Sequence, residues 1–192
     1  MSVVEFAARR SCDSPEWYTP SRFVEAARTV MGGIDLDPAS HEEANRTVKA
    51  TKFYDEQMDG LSQPWTGRVF LNPPGGKRGA QSLVSLFWGY LMREWFHGRV
   101  EQAVWIGYSL EQLQTLQRAS SKHPIDFAMC IPSARIAFVE NKAKRAERMA
   151  KLVSAGKTPN EKSHPSHSNY ITYIGQNADE FRRVFSAFGV TR

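Results

Sequence analysis

The sequence lacks the features that mark several whole classes of protein. It has two cysteines in 192 residues, Cys12 and Cys130, which are too few for a disulfide framework or a four-cysteine metal centre. No apolar run approaches the roughly 20 residues that a membrane span needs. Residues 1–10 contain no apolar stretch typical of a secretory signal. We therefore expect a cytoplasmic protein without a membrane partner.

The composition suits one α/β-sized domain with its own core, because 41% of the residues are hydrophobic and 23% are charged. The net charge is +5. The segment from Lys142 to Lys162 carries seven Lys or Arg and two Glu, so its excess equals the net charge of the whole chain. We predict a single domain over 1–192 with a basic arm or insertion at about 141–163. The oligomeric state cannot be deduced from these features.

The basic segment has two interpretations. Apolar or small residues follow helical spacing up to Gly156 and Pro159, which is typical of a solvated helix followed by a loop. The alternative is an arm that contacts DNA phosphates and gains affinity by releasing counterions. Charge alone does not decide between them. The arm would bind DNA through Lys142, Lys144, Arg145 and Arg148.

Strand and helix patterns alternate along the chain. Thr19 as N-cap and Pro20 as the first helical residue predict a helix that ends at Gly32-Gly33. Ser109 and Gln112 form a capping box for a later helix. This alternation predicts an α/β fold with a mostly parallel sheet and an antiparallel addition near the C-terminal end. The predicted strands are 34–36, 68–71, 103–108, 127–131, 136–139 and 170–174, and the other helices are 80–97 and 178–188, with a helix or an irregular turn at 41–50.

The turn Asn72-Pro73-Pro74, directly after a predicted buried strand, carries the chemistry. Ligands of open α/β sheets bind at the carboxyl ends of strands, and two prolines make this turn rigid. An exocyclic amine could donate one hydrogen to the Asn72 side-chain oxygen and one to the Pro73 carbonyl, which would stabilise the positive charge that grows as the nitrogen is methylated. An ordinary strand-ending proline turn is the alternative.

Six segments, in order, resemble the phage and prophage N6-adenine DNA methyltransferases (the Dam-like family). The resemblance implies a Rossmann-like methyltransferase fold, S-adenosylmethionine as cofactor, and adenine in DNA as target in a bacterial host cell. The segments are Glu16–Pro20, Ile34–Ser40 with Asn45 beyond it, Asp59–Leu61 with Trp65, Asn72–Pro74, Ala134–Phe138 and His164–Asn169. The implied catalytic residues are Asn72, Pro73 and Pro74, and the implied cofactor-binding residues are Trp17, Thr19, Pro20, Asp35, Asp37, Ala39, Asn45 and Asp59.

Two features depart from the family pattern. Gly75 stands where the family has an aromatic residue that stacks on the flipped base. The ring would then come from Phe70, Trp88, Trp95 or Tyr108. The run from Gly75 to Gly79 would instead wrap a phosphate, with Lys77 and Arg78 as DNA-binding residues, or form a mobile surface loop. The second departure is a cofactor turn without the usual glycines.

Single residues keep alternative roles. Asp35 and Asp37 should face opposite ways on a strand, and we favour Asp37 for the cofactor, with an ordinary cap as the alternative. Asp59 either accepts a hydrogen bond from the adenine of the cofactor or from the target amine, or belongs to an Asp-Gly turn. Trp17 either packs on the cofactor or lies in the core. Arg135 either pairs with an internal acid or reaches DNA. His164 and His167 have the spacing of a metal pair, but no third ligand is evident, so we expect no metal site.

Three functions remain open from the sequence. The first is methylation of adenine N6 in DNA. The second is a methyltransferase-like protein that binds DNA or a partner and has lost catalysis, which Gly75 motivates. The third is methylation of cytosine N4, because the same proline turn would serve both amines.

Overall fold

The computed structural model describes residues 17–120, 124–140, 142–156 and 168–192. Strands and helices alternate through most of this range, which confirms the α/β prediction. The strands are β1 (Trp17–Tyr18), β2 (Leu36–Asp37), β3 (Lys52–Phe53), β4 (Gly67–Leu71), β5 (Lys77–Arg78), β6 (Gln81–Ser82), β7 (Val100–Gly107), β8 (Ala128–Pro132), β9 (Val139–Glu140), β10 (Tyr170–Ile174) and β11 (Gly189–Thr191). The helices are α1 (Ser21–Met31), α2 (Glu42–Val48), α3 (Leu83–Phe96), α4 (Leu110–Ala119), α5 (Lys142–Ser154) and α6 (Ala178–Phe185), with single 3-10 turns at Gly60–Ser62 and Pro124–Asp126.

Seven strands form the central sheet in the order β11-β8-β10-β7-β4-β2-β3. The pairs β3-β2, β2-β4 and β4-β7 are parallel, whereas β7-β10, β10-β8 and β8-β11 are antiparallel. The antiparallel addition near the C-terminal end is therefore confirmed. A mostly parallel sheet is wrong, because β10 enters between β7 and β8 in the opposite direction and so creates two antiparallel pairings at once.

Helices cover both faces of the sheet. On β4, Phe70 packs on the face that α1, α2 and α6 cover, and its neighbours Val69 and Leu71 pack on the face that α3 and α4 cover. This alternation follows from the two-residue period of a strand. Full burial of a side chain such as Phe70 or Leu71 stabilises the fold by about 1.5–3 kcal/mol. Since both faces are covered, the exposed parts of the parallel half are the two ends of its strands. We call the side where the strands begin the amino edge and the side where they end the carboxyl edge.

The parallel half contains one place where the strand order reverses. From β2 the chain crosses through α2 to β3 at the rim of the sheet, and from β4 it crosses through α3, on the other face, to β7. The neighbouring strands β2 and β4 thus send their connections in opposite directions. A crevice at the carboxyl ends of such a strand pair is the usual ligand site of an open α/β sheet.

Several predicted element boundaries need correction. Helix α1 begins one residue later than predicted, because Pro20 itself takes the N-cap position, while Gly32 ends the helix as predicted with a left-handed φ of 74°. The glycine-rich run predicted as a loop forms the hairpin β5-β6, with Gly79 in its turn at φ 58°. The last helix ends at Phe185, and β11 follows it unpredicted.

Two short strands tie the start of the described chain to a distant segment. Strand β1 pairs antiparallel with β9, so that Trp17 lies opposite Glu140. A strand was predicted at 136–139, but only Val139 belongs to the observed one. The pairing holds Trp17 in place beside the central sheet.

The basic segment contains helix α5, which ends before Gly156 at φ 69°, as the helical spacing predicted. Arg145 is exposed on it. The side chains of Lys142, Lys144 and Arg148, and residues 157–163, lie outside the described part. No helix in the described ranges has the length and apolar character to cross a membrane.

Candidate functional site

Asn72 lies at the carboxyl end of β4, beside the strand reversal. The strand stops there because Pro73 and Pro74 have no N–H to continue the ladder. Asn72 is half-buried and Pro73 is buried. The Asn72 Nδ2 donates a hydrogen bond of 3.1 Å to the Trp17 carbonyl. The structure thus brings together two segments that the sequence analysis singled out, and it leaves the Asn72 oxygen on the side away from Trp17.

Tyr108 joins the two acceptors of this turn. Its hydroxyl lies 3.3 Å from Asn72 Oδ1 and also donates to the Pro73 carbonyl. Burial raises the pKa of the Tyr108 hydroxyl, so the group stays protonated and remains a donor. Both oxygens that we assigned to an amine are therefore within hydrogen-bonding reach of one point in space.

Of the four aromatic residues named as possible substitutes for a ring at position 75, Tyr108 lies beside the turn. Phe70 and Trp88 are buried in the core, and Trp95 packs against Phe96 and Phe127. Tyr108 follows β7 directly, and β7 is the parallel neighbour of β4, so the ends of both strands meet at one edge. That adjacency, rather than any local motif, was the signal that could have singled it out.

The turn after β2 places buried polar atoms next to Asn72's strand. Asp37 is 5% exposed, and its Oδ1 accepts from the Ala39 backbone N–H at 3.2 Å. Burial raises the pKa of this carboxyl to about 7, although the Ala39 N–H and the Ser40 hydroxyl act in the opposite direction. The Ser40 hydroxyl is buried beside the Asp37 carboxyl and has no other hydrogen-bond partner in the described residues. Ser40 was not predicted as a site residue, although it is the last residue of the segment Ile34–Ser40.

Asp35 does not belong to this site. Its carboxylate holds Arg68 through bonds of 2.6 and 2.8 Å to the guanidinium and a further 2.8 Å bond from the Arg68 backbone N–H. These contacts lie near Gly67, where β4 begins, and so at the opposite edge from Asn72. The pKa of Asp35 is lowered mainly by its hydrogen bond from the Arg68 side chain. The cofactor role predicted for Asp35 stays a prediction, and this ion pair would have to open for it.

Asn45 and Asp59, also predicted to bind the cofactor, have partners within the protein. The Asn45 amide accepts from the Ala50 N–H at 2.9 Å and donates to the Ala50 carbonyl at 3.2 Å, which closes the end of α2. Asp59 forms a two-bond ion pair with Arg78, at 2.6 and 3.2 Å, which ties the hairpin to the segment before β4. Arg78 is thus held by Asp59, while Lys77 is exposed.

The remaining predicted residues divide between the site and its surroundings. Thr19 is buried and Pro20 half-buried, directly after Trp17. The Trp17 side chain packs against the core under α1, so its core interpretation holds, while its carbonyl serves Asn72. Arg135 is exposed outside any strand, so it needs no internal acid. His164 and His167 lie outside the described residues.

Asn169 supports the end of β7, a role that was not predicted for this last residue of the segment His164–Asn169. It is buried, its Oδ1 accepts from the Ile136 N–H, and its Nδ2 donates to the Gly107 carbonyl, both at 3.2 Å. It thereby fixes the end of β7, from which Tyr108 projects.

Comparisons with known proteins identify no relative: no family model, no curated protein and no solved structure matches the chain. Because a fold by itself does not define a function, the function has to be inferred from the site.

Proposed function

We propose that the chain is an S-adenosylmethionine-dependent methyltransferase that methylates the N6 amine of adenine in DNA, on a Rossmann-like fold. The observation that carries the proposal is the convergence of Asn72 Oδ1 and the Pro73 carbonyl on one hydrogen-bond donor. That pair of acceptors lies at the carboxyl edge of the sheet, next to the strand reversal where ligands bind.

The two acceptors match the demand of the reaction. The lone pair of an exocyclic amine is delocalised into its ring, so the nitrogen is a poor nucleophile. Two hydrogen bonds, one to Asn72 Oδ1 and one to the Pro73 carbonyl, pull the amine towards a tetrahedral shape. They also stabilise the positive charge that the nitrogen acquires in the transition state. Pro73 and Pro74 keep the acceptors rigid, so they need no reorganisation during the reaction.

The residues after β2 fit the cofactor. Asp37 is a buried carboxylate without a cationic partner in the described part, and the buried Ser40 hydroxyl has no partner there besides that carboxyl. Buried polar groups without partners are rare, and each calls for a ligand or solvent. The hydroxyl and ammonium groups of S-adenosylmethionine are donors that would satisfy both. When bound, the cofactor supplies a methyl group on a positively charged sulfur.

A direct experiment tests the proposal on the full chain. Calorimetry measures S-adenosylmethionine binding, and mass spectrometry measures modified nucleosides in DNA from cells that express the protein. We expect binding together with N6-methyladenine above the level of the Asn72→Ala variant. N4-methylcytosine in its place would move the reaction to cytosine, and cofactor or DNA binding without any methylated base would leave a binding protein.

The basic segment supports DNA as the partner, since it carries the excess positive charge of the chain. Replacing Lys142, Lys144, Arg145 and Arg148 by Gln should weaken binding to duplex DNA and flatten its salt dependence, because fewer counterions are released. Binding measured between 50 and 200 mM salt checks this. A variant with Arg182 and Arg183 on α6 replaced by Gln is the control for lost charge, and an equal effect from it would remove the special role of the arm.

A further inference from the structure

The Tyr108 hydroxyl occupies the place that the proposed function gives to the substrate. It donates to the Pro73 carbonyl and lies 3.3 Å from Asn72 Oδ1, so both acceptors of the amine site are engaged when no DNA is bound. An amine cannot use these acceptors while the hydroxyl stays there. Tyr108 and the target base therefore compete for one position.

The backbone at Tyr108 is held independently of its hydroxyl, while its ring packs against the buried cluster on the side of α3 and α4. Its N–H donates to Gln112 Oε1 at 2.8 Å. The next residue, Ser109, caps α4 by accepting from the Gln112 N–H at 3.2 Å. The side chain is only partly buried. A rotation about its first side-chain bond would free both acceptors and leave strand β7 and helix α4 in place.

The exchange of Tyr108 for a base discriminates between kinds of base. A phenol has one hydrogen to share between two acceptors, whereas an amine has two hydrogens and satisfies both. A base that offers a carbonyl oxygen at this position, as thymine does, would place an acceptor against two acceptors and leave them without donors. Such unpaired buried groups are strongly unfavourable.

We propose that Tyr108 closes the amine site in the DNA-free protein and is displaced by the target base, because its hydroxyl and the target amine use the same two acceptors. This inference rests on the proposed function. It makes Tyr108 a competitor of the substrate rather than a member of the catalytic machinery.

The test is Tyr108→Phe in the full chain, with unmethylated mixed-sequence duplex DNA and saturating S-adenosylmethionine. The variant keeps the ring but loses the competing donor. We expect KM for DNA to fall about five- to tenfold, the size of one lost hydrogen bond, with kcat unchanged within about twofold.

Tyr170→Phe is the matched control, because Tyr170 is a buried tyrosine on the neighbouring strand whose hydroxyl donates to the same Gln112 Oε1, at 3.2 Å. Both variants should lower the melting temperature, but only Tyr108→Phe should lower KM. If wild-type protein methylates DNA and Tyr108→Phe raises KM or lowers kcat, the inference is overturned while the proposed function stands. If neither protein methylates any base, the proposed function fails and this inference fails with it.

Discussion

Polar groups at the two edges of the parallel half of the sheet differ in whether they are paired with an opposite charge. At the amino edge, Asp35 is paired with Arg68. Glu94, whose side chain is 5% exposed, is paired with both Arg93 and Arg99. At the carboxyl edge, Asp37 is buried without a cation in the described residues, and the oxygen of Asn72 lies 3.3 Å from the neutral hydroxyl of Tyr108.

Under the proposed function, this difference separates structural from functional residues within one sheet. At the amino edge, Asp35 and Glu94 already have cationic partners, so a ligand that binds them would have to break an ion pair. Incompletely satisfied groups at the carboxyl edge lower the stability of the free protein, and a fold tolerates them where a ligand completes them. Exchanging residues at the two edges should therefore change different properties.

The largest effect is expected from Asn72→Ala at the carboxyl edge. Loss of one of two acceptors for the developing charge should reduce kcat by about 100- to 1000-fold. Stability should fall only by about 1 kcal/mol, for the lost bond to Trp17. Methyl-transfer kinetics and thermal unfolding measure the two. The control is Asn177→Ala, which loses a similar 2.9 Å bond to the Val30 carbonyl. Activity of Asn72→Ala near that of this control would remove Asn72 from the mechanism.

Asp37→Asn should weaken cofactor binding yet stabilise the free protein. The folded pKa of about 7 exceeds the ordinary value of 3.8, so wild-type stability falls as pH rises from about 4 to 7 and stays low above that. The variant lacks this loss and should gain up to about 4 kcal/mol at pH 8. Its advantage should vanish near pH 4. Urea unfolding at the two pH values and calorimetry with S-adenosylmethionine check both effects. A variant less stable than wild type at pH 8 would show that the carboxylate has a stabilising partner.

The smallest effect concerns the amino edge. Glu94→Gln should destabilise the fold by about 1–2 kcal/mol at pH 7 and leave methylation unchanged, because Arg93 and Arg99 remain half-exposed and can be hydrated. Hydrogen bonds from Arg99 and then Arg93 hold the pKa of Glu94 below 4.5, so the stabilisation is present above that pH and lost as the pH falls through the lowered pKa. Unfolding at pH 7 and pH 3 measures it. Lost activity in a stably folded variant would erase the distinction between the edges.

Local patterns predicted the elements whose ends are set by a single residue type. The end of β4 was predictable because two prolines stop it, the end of α1 because Gly32 adopts a left-handed conformation, and the start of α4 because Ser109 caps it. Strand β10 was predicted to the residue, since it consists entirely of β-branched and aromatic residues. The placing of Asn72 at a strand end followed from the same signals.

Features that depend on distant contacts were not predictable. The hairpin β5-β6 has two residues in each strand, which is too short for any alternation to show. The direction of β10 depends on which strands it enters between. The sequence favours Asp37 over Asp35 for the cofactor but does not reveal the partner of Asp35, because Arg68 lies 33 positions beyond it. The meeting of Tyr108 with Asn72 likewise joins residues 36 positions apart.

The bond from Asn72 to the Trp17 carbonyl determines which way round the Asn72 amide points. The two tips of an asparagine amide have nearly the same size and shape, so packing alone does not decide which one points inward. A carbonyl accepts from nitrogen and repels oxygen, and so it sets the amide one way round. Turned by half a revolution, the same side chain would meet an arriving NH2 with its own hydrogens, and a short strand far from the motif in sequence is what prevents it.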